Sequence, residues 1–125
     1  MIVLDASAWV DVLTGVAAPP DDSEEVLVPP HFDAEVVGAL RALTQRAVIS
    51  AAAADRALAQ HLRAGFVIER DPADIHQAWL WRDSMSLTNA WYAALAHRRA
   101  ATWVTTDLRA AATAERHGVR VLRLT

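Results

Sequence analysis

The sequence predicts an α/β domain with a mainly parallel central sheet. Short apolar runs recur along the chain without the polar alternation of a half-exposed strand, which is typical of strands covered on both faces. Segments with the apolar spacing of a helix lie between these runs. The predicted order is β-α-α-β-α-α-β-α-α-β-α-β, in which helices connect successive strands as a parallel sheet requires. With no visible repeat or linker, residues 1–125 are expected to form one domain.

The chain is expected to begin with a strand and a helix. Ile2–Leu4 are consecutive apolar residues that predict a short buried strand. Ser7 is expected to cap a helix that runs to about Thr14, where Gly15 ends it. Residues 21–25 are almost all acidic and predict a short helix or turn, since acidic side chains are favourable at the start of a helix.

A second strand and two helices follow. Val26–Val28 predict the strand, and two prolines end it. Residues 31–46 predict a helix, because apolar residues recur at helical spacing on the side expected to face the core. Those residues are Phe32, Val36, Leu40 and Leu43. Residues 50–64 predict an Ala-rich helix that Ser50 caps and Gly65 ends.

Two further helices are expected in the second half of the chain. The first begins at Asp71, which precedes a proline, and ends near Asp83. The second begins at Ser86 or Thr88 and runs to about Arg99, where basic residues suit the end of a helix.

Three strands and one helix complete the prediction. Residues 66–68, 101–105 and 119–124 are the apolar or alternating segments that predict strands. A helix is expected over residues 107–117, with Gly118 as its stop.

The composition excludes several protein classes. All 12 basic residues are arginine, so enzymes that need a lysine are excluded, among them P-loop NTPases, Schiff-base enzymes and phosphoacceptor receiver domains. The absence of cysteine excludes disulfides and cysteine metal sites, and favours a cytoplasmic protein. No apolar run approaches the length of a membrane helix, so no membrane partner is expected.

The balance of charge and apolar residues bears on partners. At a net charge of −3, the chain would have to bind nucleic acid through clustered arginines or metal ions. The candidate phosphate contacts are Arg41, Arg46, Arg82, Arg98, Arg99 and Arg109. Five tryptophans and 54% apolar residues indicate a generous core or an apolar surface that a partner covers. The histidines lack metal-ligand spacing and are expected at the surface or at helix ends.

Four polar residues are expected along one edge of the sheet. Asp5 ends the first strand, and Asp107 follows the strand at residues 101–105. Glu35 and Asn89 lie in the first turns of helices. Because the carboxyl ends of parallel strands meet at one edge, these side chains are expected to converge. Grouped carboxylates repel one another, and a cation such as Mg²⁺ relieves this repulsion and activates water against a phosphodiester.

Each of these residues also has a structural explanation. Asp5 and Asp107 are placed to cap the helices that follow them. Glu35 is an acid that an arginine could neutralise, and Asn89 is a cap or a solvated polar residue. Only the joint pattern of the four positions favours a site.

The chain resembles the PIN-domain ribonucleases, especially the VapC-type toxins. Four motifs match in order and spacing, and a closing strand matches after them. The matching segments are residues 1–8, 30–40, 86–96, 104–107 and 117–121. They place Asp5, Glu35 and Asp107 at acidic positions of the family. The chain departs from the pattern at Asn89, where the family normally has Asp, and at Thr88, where it normally has Tyr.

The resemblance implies a three-layer α/β/α sandwich and an endoribonuclease toxin that hydrolyses RNA with Mg²⁺, or with Mn²⁺. Asp5, Glu35 and Asp107 would be the catalytic residues and metal ligands. Asn89 would be a weakened fourth ligand, since its amide oxygen can bind a cation but carries no charge. The partners implied are an RNA substrate, a VapB-like antitoxin and a second copy in a homodimer.

The departure from the family pattern leaves an alternative open. Without an acid at Asn89, the domain would be catalytically impaired and act mainly by binding RNA or antitoxin. Asp83 lies shortly before Asn89 and is another source of the missing charge. Ser7 and Thr106 flank the two strand-end acids, where they would orient those carboxylates or bridge to a metal-bound water, or would simply cap helices.

Overall fold

A computed structural model describes residues 1–124. The strands are β1 (Ile2–Leu4), β2 (Val26–Val28), β3 (Val67–Ile68), β4 (Thr102–Thr105) and β5 (Arg120–Arg123). The helices are α1 (Ala6–Leu13), α2 (Phe32–Gln45), α3 (Ala51–Arg63), α4 (Pro72–Leu80), α5 (Leu87–Arg99) and α6 (Leu108–Arg116). The predicted α/β class is confirmed. None of the helices in this part of the chain is both long and apolar enough to cross a membrane.

The sheet has five strands in the order β3-β2-β1-β4-β5, and every neighbouring pair is parallel. From β1 the chain builds outward first through β2 and β3, and later through β4 and β5 on the other side. The direction of building therefore reverses between β1 and β4. In open α/β sheets such a reversal leaves a crevice at the carboxyl ends of the strands, where ligands bind.

The central strands are covered on both faces. Val3 and Leu4 are essentially inaccessible to solvent although they point to opposite sides of the sheet. Helices α1, α2 and α3 pack against one another, while α5 packs against α4 and α6. The three largest fully buried side chains are Trp103, Tyr92 and Phe32. This arrangement explains why the strands contain apolar runs without alternation.

The structure corrects two predicted helix boundaries and decides between alternatives that the sequence left open at two others. Asp5, not Ser7, caps α1, since its side chain accepts a hydrogen bond from the Ser7 N–H. The acidic stretch before β2 forms a turn and no helix, because the Asp21 carboxylate accepts hydrogen bonds from both the amide and the hydroxyl of Ser23. Of the two caps considered for α5, the structure has Ser86. Helix α4 ends at Leu80, three residues before the predicted end.

His61 lies in the last turn of α3, as expected of a helix-end histidine, but it is not exposed. This side chain is buried and joins three helices. The Trp9 indole N–H donates to His61 Nδ1 at 3.0 Å, and His61 Nε2 lies 2.8 Å from a carboxylate oxygen of Asp33. A chain of hydrogen bonds therefore connects α1, α3 and α2. Trp79, expected in the core or an interface, is 55% exposed.

Candidate active site

Asp5 occupies the carboxyl end of the central strand and is almost completely buried, with 6% of its surface exposed. One carboxylate oxygen accepts the Ser7 N–H at 3.4 Å, and the other accepts the Thr105 hydroxyl at 2.6 Å. The residue is therefore both the N-cap of α1 and a buried acid at the strand edge. A simple cap would be expected to remain exposed, so its burial indicates a further role.

Thr105 is a site residue that the sequence did not reveal. Its hydroxyl donates to Asp5 and accepts the backbone N–H of Asp107 at 3.1 Å, so it ties the ends of two neighbouring strands together. Thr106, predicted to orient a carboxylate, to bridge to a metal-bound water or to cap a helix, is half-buried, and its side chain makes no hydrogen bond within residues 1–124. Strand alternation was the available signal, because it places Thr105 on the same side as Trp103.

Replacing Thr105 with Val tests this link. The two side chains have similar shape, so the variant should fold, with about 1–3 kcal/mol lost because two polar groups lose their buried partner. The remaining hydrogen bonds hold Asp5 less well, so its pKa should rise further. Denaturant unfolding and a pH profile of RNA cleavage measure the two effects. A variant with unchanged stability and pH profile would contradict the role assigned to Thr105, and Thr106→Val is the matched control.

Asp107 and Asn89 meet at the edge of the site. Asp107 caps α6 by accepting the Ala110 N–H at 2.9 Å. Its second oxygen accepts the side-chain N–H of Asn89 at 3.3 Å. Asn89 lies in the first turn of α5, where its backbone N–H is held by Ser86. The structure thus brings Asp5, Asp107 and Asn89 into one hydrogen-bonded chain through Thr105.

Glu35 approaches from α2 and is held by a tyrosine. The Tyr92 hydroxyl donates to the Glu35 carboxylate at 2.7 Å. Burial, and then this hydrogen bond to Glu35, raise the pKa of Tyr92 far above its ordinary value, so the phenol stays protonated and donates. His31 packs against Tyr92 and Trp91, with Nε2 3.6 Å from Glu35. Burial lowers the pKa of His31, so the ring does not neutralise the acid at neutral pH.

Among residues 1–124, no basic side chain forms an ion pair with the buried Asp5 carboxylate. Burial raises the pKa of Asp5 from 3.8 to about 6, although hydrogen bonds from Thr105 and Ser7 act in the opposite direction. Repulsion from Glu35 and Asp107 raises it further. The fields of all three acids therefore overlap at Asp5. Glu35 lies near enough to raise the pKa of Asp5, but within residues 1–124 its carboxylate is hydrogen-bonded to Tyr92 and not to Asp5 or Asp107.

The donor atoms of the site are of the type that binds a hard divalent cation, but the acids are widely spaced. Carboxylate and amide oxygens are the ligands that Mg²⁺ prefers, and a cation would favour the charged form of the buried Asp5. Within the described residues, however, no three His, Cys, Asp or Glu side chains are grouped closely enough to hold a metal ion. Binding of one cation by all three acids would therefore require their side chains to come closer together.

A cavity of about 310 Å³ lies against the exposed side of this site. Its lining includes Asn89 and Asp107, together with Arg82, Asp83 and Arg109. Asp83, considered as a source of the missing charge, therefore borders the same cavity as Asn89. The cavity gives solvent and ligands access to the acidic edge of the sheet.

Comparisons with known proteins place the chain in a family. It is 32% identical to Ribonuclease VapC3 of Mycobacterium tuberculosis over 116 residues, which cover 88% of this chain and 85% of that protein. Its structure is similar to the crystal structure of FitAcB from Neisseria gonorrhoeae, with a TM-score of 0.66, coverage of 98% and 97% of the two chains, and 16% identity. No sequence model of a protein family matches the chain. The FitAcB likeness supports the fold, and the VapC3 identity confirms the resemblance seen in the motifs: the chain belongs to the VapC-type PIN-domain ribonucleases.

Proposed function

We propose that this protein is a divalent-metal-dependent endoribonuclease and the toxin of a VapBC-like toxin–antitoxin pair. The observation that carries the proposal is the buried Asp5, which Thr105 links to Asp107 at the reversal point of the sheet. Burial and two neighbouring acids hold the pKa of Asp5 at about 6, and strongly raised carboxyl pKa values are common at functional sites. The relationship to Ribonuclease VapC3 supports RNA as the substrate.

The residues proposed to hold Mg²⁺, or Mn²⁺, are Asp5, Glu35 and Asp107, with Asn89 contributing its amide oxygen. Such an ion lowers the pKa of bound water and so supplies a nucleophile for phosphodiester hydrolysis. The chain's own residues prepare the site. Thr105 fixes the orientation of Asp5. The Tyr92 hydroxyl holds Glu35 in place.

A second candidate function is supported by the contact between Asn89 and Asp107. The amide N–H donates to an oxygen of Asp107 that a cation would otherwise use, and it supplies no charge. In this candidate, the domain is catalytically impaired and acts mainly by binding RNA or antitoxin. The two candidates differ in one measurable property, which is hydrolysis of RNA.

The partners proposed are a VapB-like antitoxin and a second copy of the chain, in the cytoplasm. Support for partner surfaces comes from large apolar side chains that remain exposed at one side of the fold. They include Val37, Leu62, Val67 and Ile68, each with between 45% and 74% of its surface exposed. Three of these four side chains border one groove between α2, α3 and β3.

Metal removal tests the enzymatic proposal. Purified protein should cleave a labelled single-stranded RNA in Mg²⁺ or Mn²⁺, lose this activity completely in EDTA, and regain it when Mg²⁺ is added in excess. Gel analysis of the products measures cleavage. A thermal shift on adding Mg²⁺ measures binding without relying on activity.

The outcomes separate the two candidates. Cleavage that persists in EDTA would contradict metal dependence, and Asp5→Asn protein purified in parallel controls for a contaminating nuclease. If the protein binds RNA, shows no metal-dependent cleavage, and behaves like the Asp5→Asn variant, the binding function is correct.

A further inference from the structure

Four of the arginines considered as phosphate contacts form two pairs that the sequence does not distinguish. Arg98 and Arg99 pair with Glu69, and Arg98 also binds the buried Asp74 with 2.7 and 3.0 Å hydrogen bonds. These two side chains connect α5 to α4 and the preceding loop, so they serve the fold. Their candidacy as RNA contacts is therefore not supported.

Arg82 and Arg109 are the other pair. Both line the 310 Å³ cavity that also borders Asn89 and Asp107. Neither forms an ion pair with a carboxylate anywhere in residues 1–124, although Asp83 and Asp107 border the same cavity. Arginine without a carboxylate partner is available for phosphate, which its planar group binds through two N–H donors.

Arg82 is also held in place before any ligand arrives. Its guanidinium lies 4.1 Å from the centre of the Trp79 ring and donates a 2.9 Å hydrogen bond to the Trp79 carbonyl oxygen. Stacking on an aromatic face leaves the outer edge of a guanidinium free to donate. Trp79 is 55% exposed, so it contributes little to the core, and the platform it gives Arg82 accounts for its position.

We propose that Arg82 and Arg109 bind the phosphates of single-stranded RNA beside the bond that is cut, and that Trp79 positions Arg82 for this contact. This inference rests on the proposed ribonuclease function and adds the residues that hold the substrate. In this arrangement Asp107 and Asn89 would bind the cation at one side of the cavity, and the two arginines would bind the RNA backbone. Such local contacts are needed because the whole chain has a net charge of −3 and would repel RNA.

Binding of a fluorescent oligoribonucleotide tests the proposal without requiring hydrolysis. The binding measurement uses Asp5→Asn protein, which is expected to cut the probe at least about 100-fold more slowly than wild type, at several salt concentrations. Arg82→Gln and Arg109→Gln should each weaken binding about threefold to tenfold and lower the salt dependence by about 0.7 in log–log slope, as expected for one lost phosphate contact to a single strand. Arg56→Gln is the matched control, since Arg56 is exposed on α3 and borders a different cavity.

Further variants separate positioning from folding. Arg82→Lys keeps the charge but loses the planar stack, so it should recover only part of the affinity. Trp79→Leu should weaken binding although the arginine remains. In the protein with Asp5 intact, the Arg82, Arg109 and Trp79 variants should raise KM several-fold and leave kcat within about twofold, because they act on substrate binding.

The results distinguish failure of this inference from failure of the proposed function. If wild type cleaves RNA, but Arg82→Gln and Arg109→Gln bind with the affinity and salt slope of Arg56→Gln, the inference is overturned and the function stands. Loss of RNA affinity in these variants supports the inference even if wild type never cleaves. If they lose affinity only for a protein partner, the cavity is an interface and the RNA assignment is wrong.

Discussion

Asp5→Asn is expected to reduce RNA cleavage by at least about 100-fold while making the folded protein more stable at neutral pH. Cleavage falls because the substitution removes the acid proposed to bind the cation most directly. Stability rises because the charged form of Asp5 is buried without a compensating charge. A variant that loses activity and gains stability identifies a residue kept for function at the expense of the fold.

The stability difference has a defined pH dependence. Asp5 titrates near 3.8 in the unfolded chain and near 6 in the folded protein. Below pH 3.8 Asp5 is neutral in both states and does not affect the free energy of unfolding. As the pH rises toward and past 6, Asp5 ionises more readily in the unfolded chain, so the folded protein loses stability. The difference between these two pKa values corresponds to about 3 kcal/mol by which Asp5→Asn should gain on wild type between pH 3 and pH 8.

Urea unfolding at these two pH values measures the effect. Asp55→Asn, on an exposed position of α3, is the control and should show no such gain. Addition of Mg²⁺ at pH 8 should stabilise wild type and leave Asp5→Asn unchanged. An equal difference between the proteins at both pH values would mean that Asp5 is not the buried charge described here.

Asn89→Asp should have opposite effects on stability and on metal binding. In wild type the amide donates to Asp107 at 3.3 Å, whereas in the variant two carboxylates face each other at that distance. We expect a loss of about 1 kcal/mol of stability in EDTA from this repulsion. A cation bound between them is favoured by the added charge, so Mg²⁺ affinity should increase about tenfold and cleavage at low Mg²⁺ should rise with it.

Thermal shifts in EDTA and across a Mg²⁺ titration measure both effects. Thr88→Asp adds the same charge one residue away, where the wild-type side chain approaches Ser86 instead of Asp107, and should not improve metal binding. A variant with the metal affinity of wild type would show that Asn89 lies outside the cation site. Cleavage by Asn89→Asp together with a silent wild type would favour the binding function.

The class of the fold followed from the sequence, and so did the order of the elements apart from one extra helix predicted between β1 and β2. Apolar strands without alternation, and glycines or polar caps at helix ends, predict the elements that the structure contains. The position of Asp5 and Asp107 at one edge also followed, since parallel strands place their carboxyl ends together.

What could not be predicted depends on contacts between distant segments. Thr105 and Thr106 are chemically identical neighbours, and only the orientation of β4 decides which one reaches Asp5. In the same way, Arg98 and Arg82 differ in role because acids from other elements surround one and a tryptophan face supports the other. These relations belong to tertiary structure: alternation along β4 puts the two threonines on opposite faces, but it does not say which face meets Asp5.

The buried histidine between three helices has a consequence for the acids. An indole N–H can only donate, so Nδ1 of His61 must accept from Trp9, and the ring proton must lie on Nε2 facing Asp33. The imidazole is thereby confined to one tautomer and one orientation. Since α1 follows Asp5 and α2 carries Glu35, this single hydrogen-bonded chain fixes how the two helices next to these acids pack against each other.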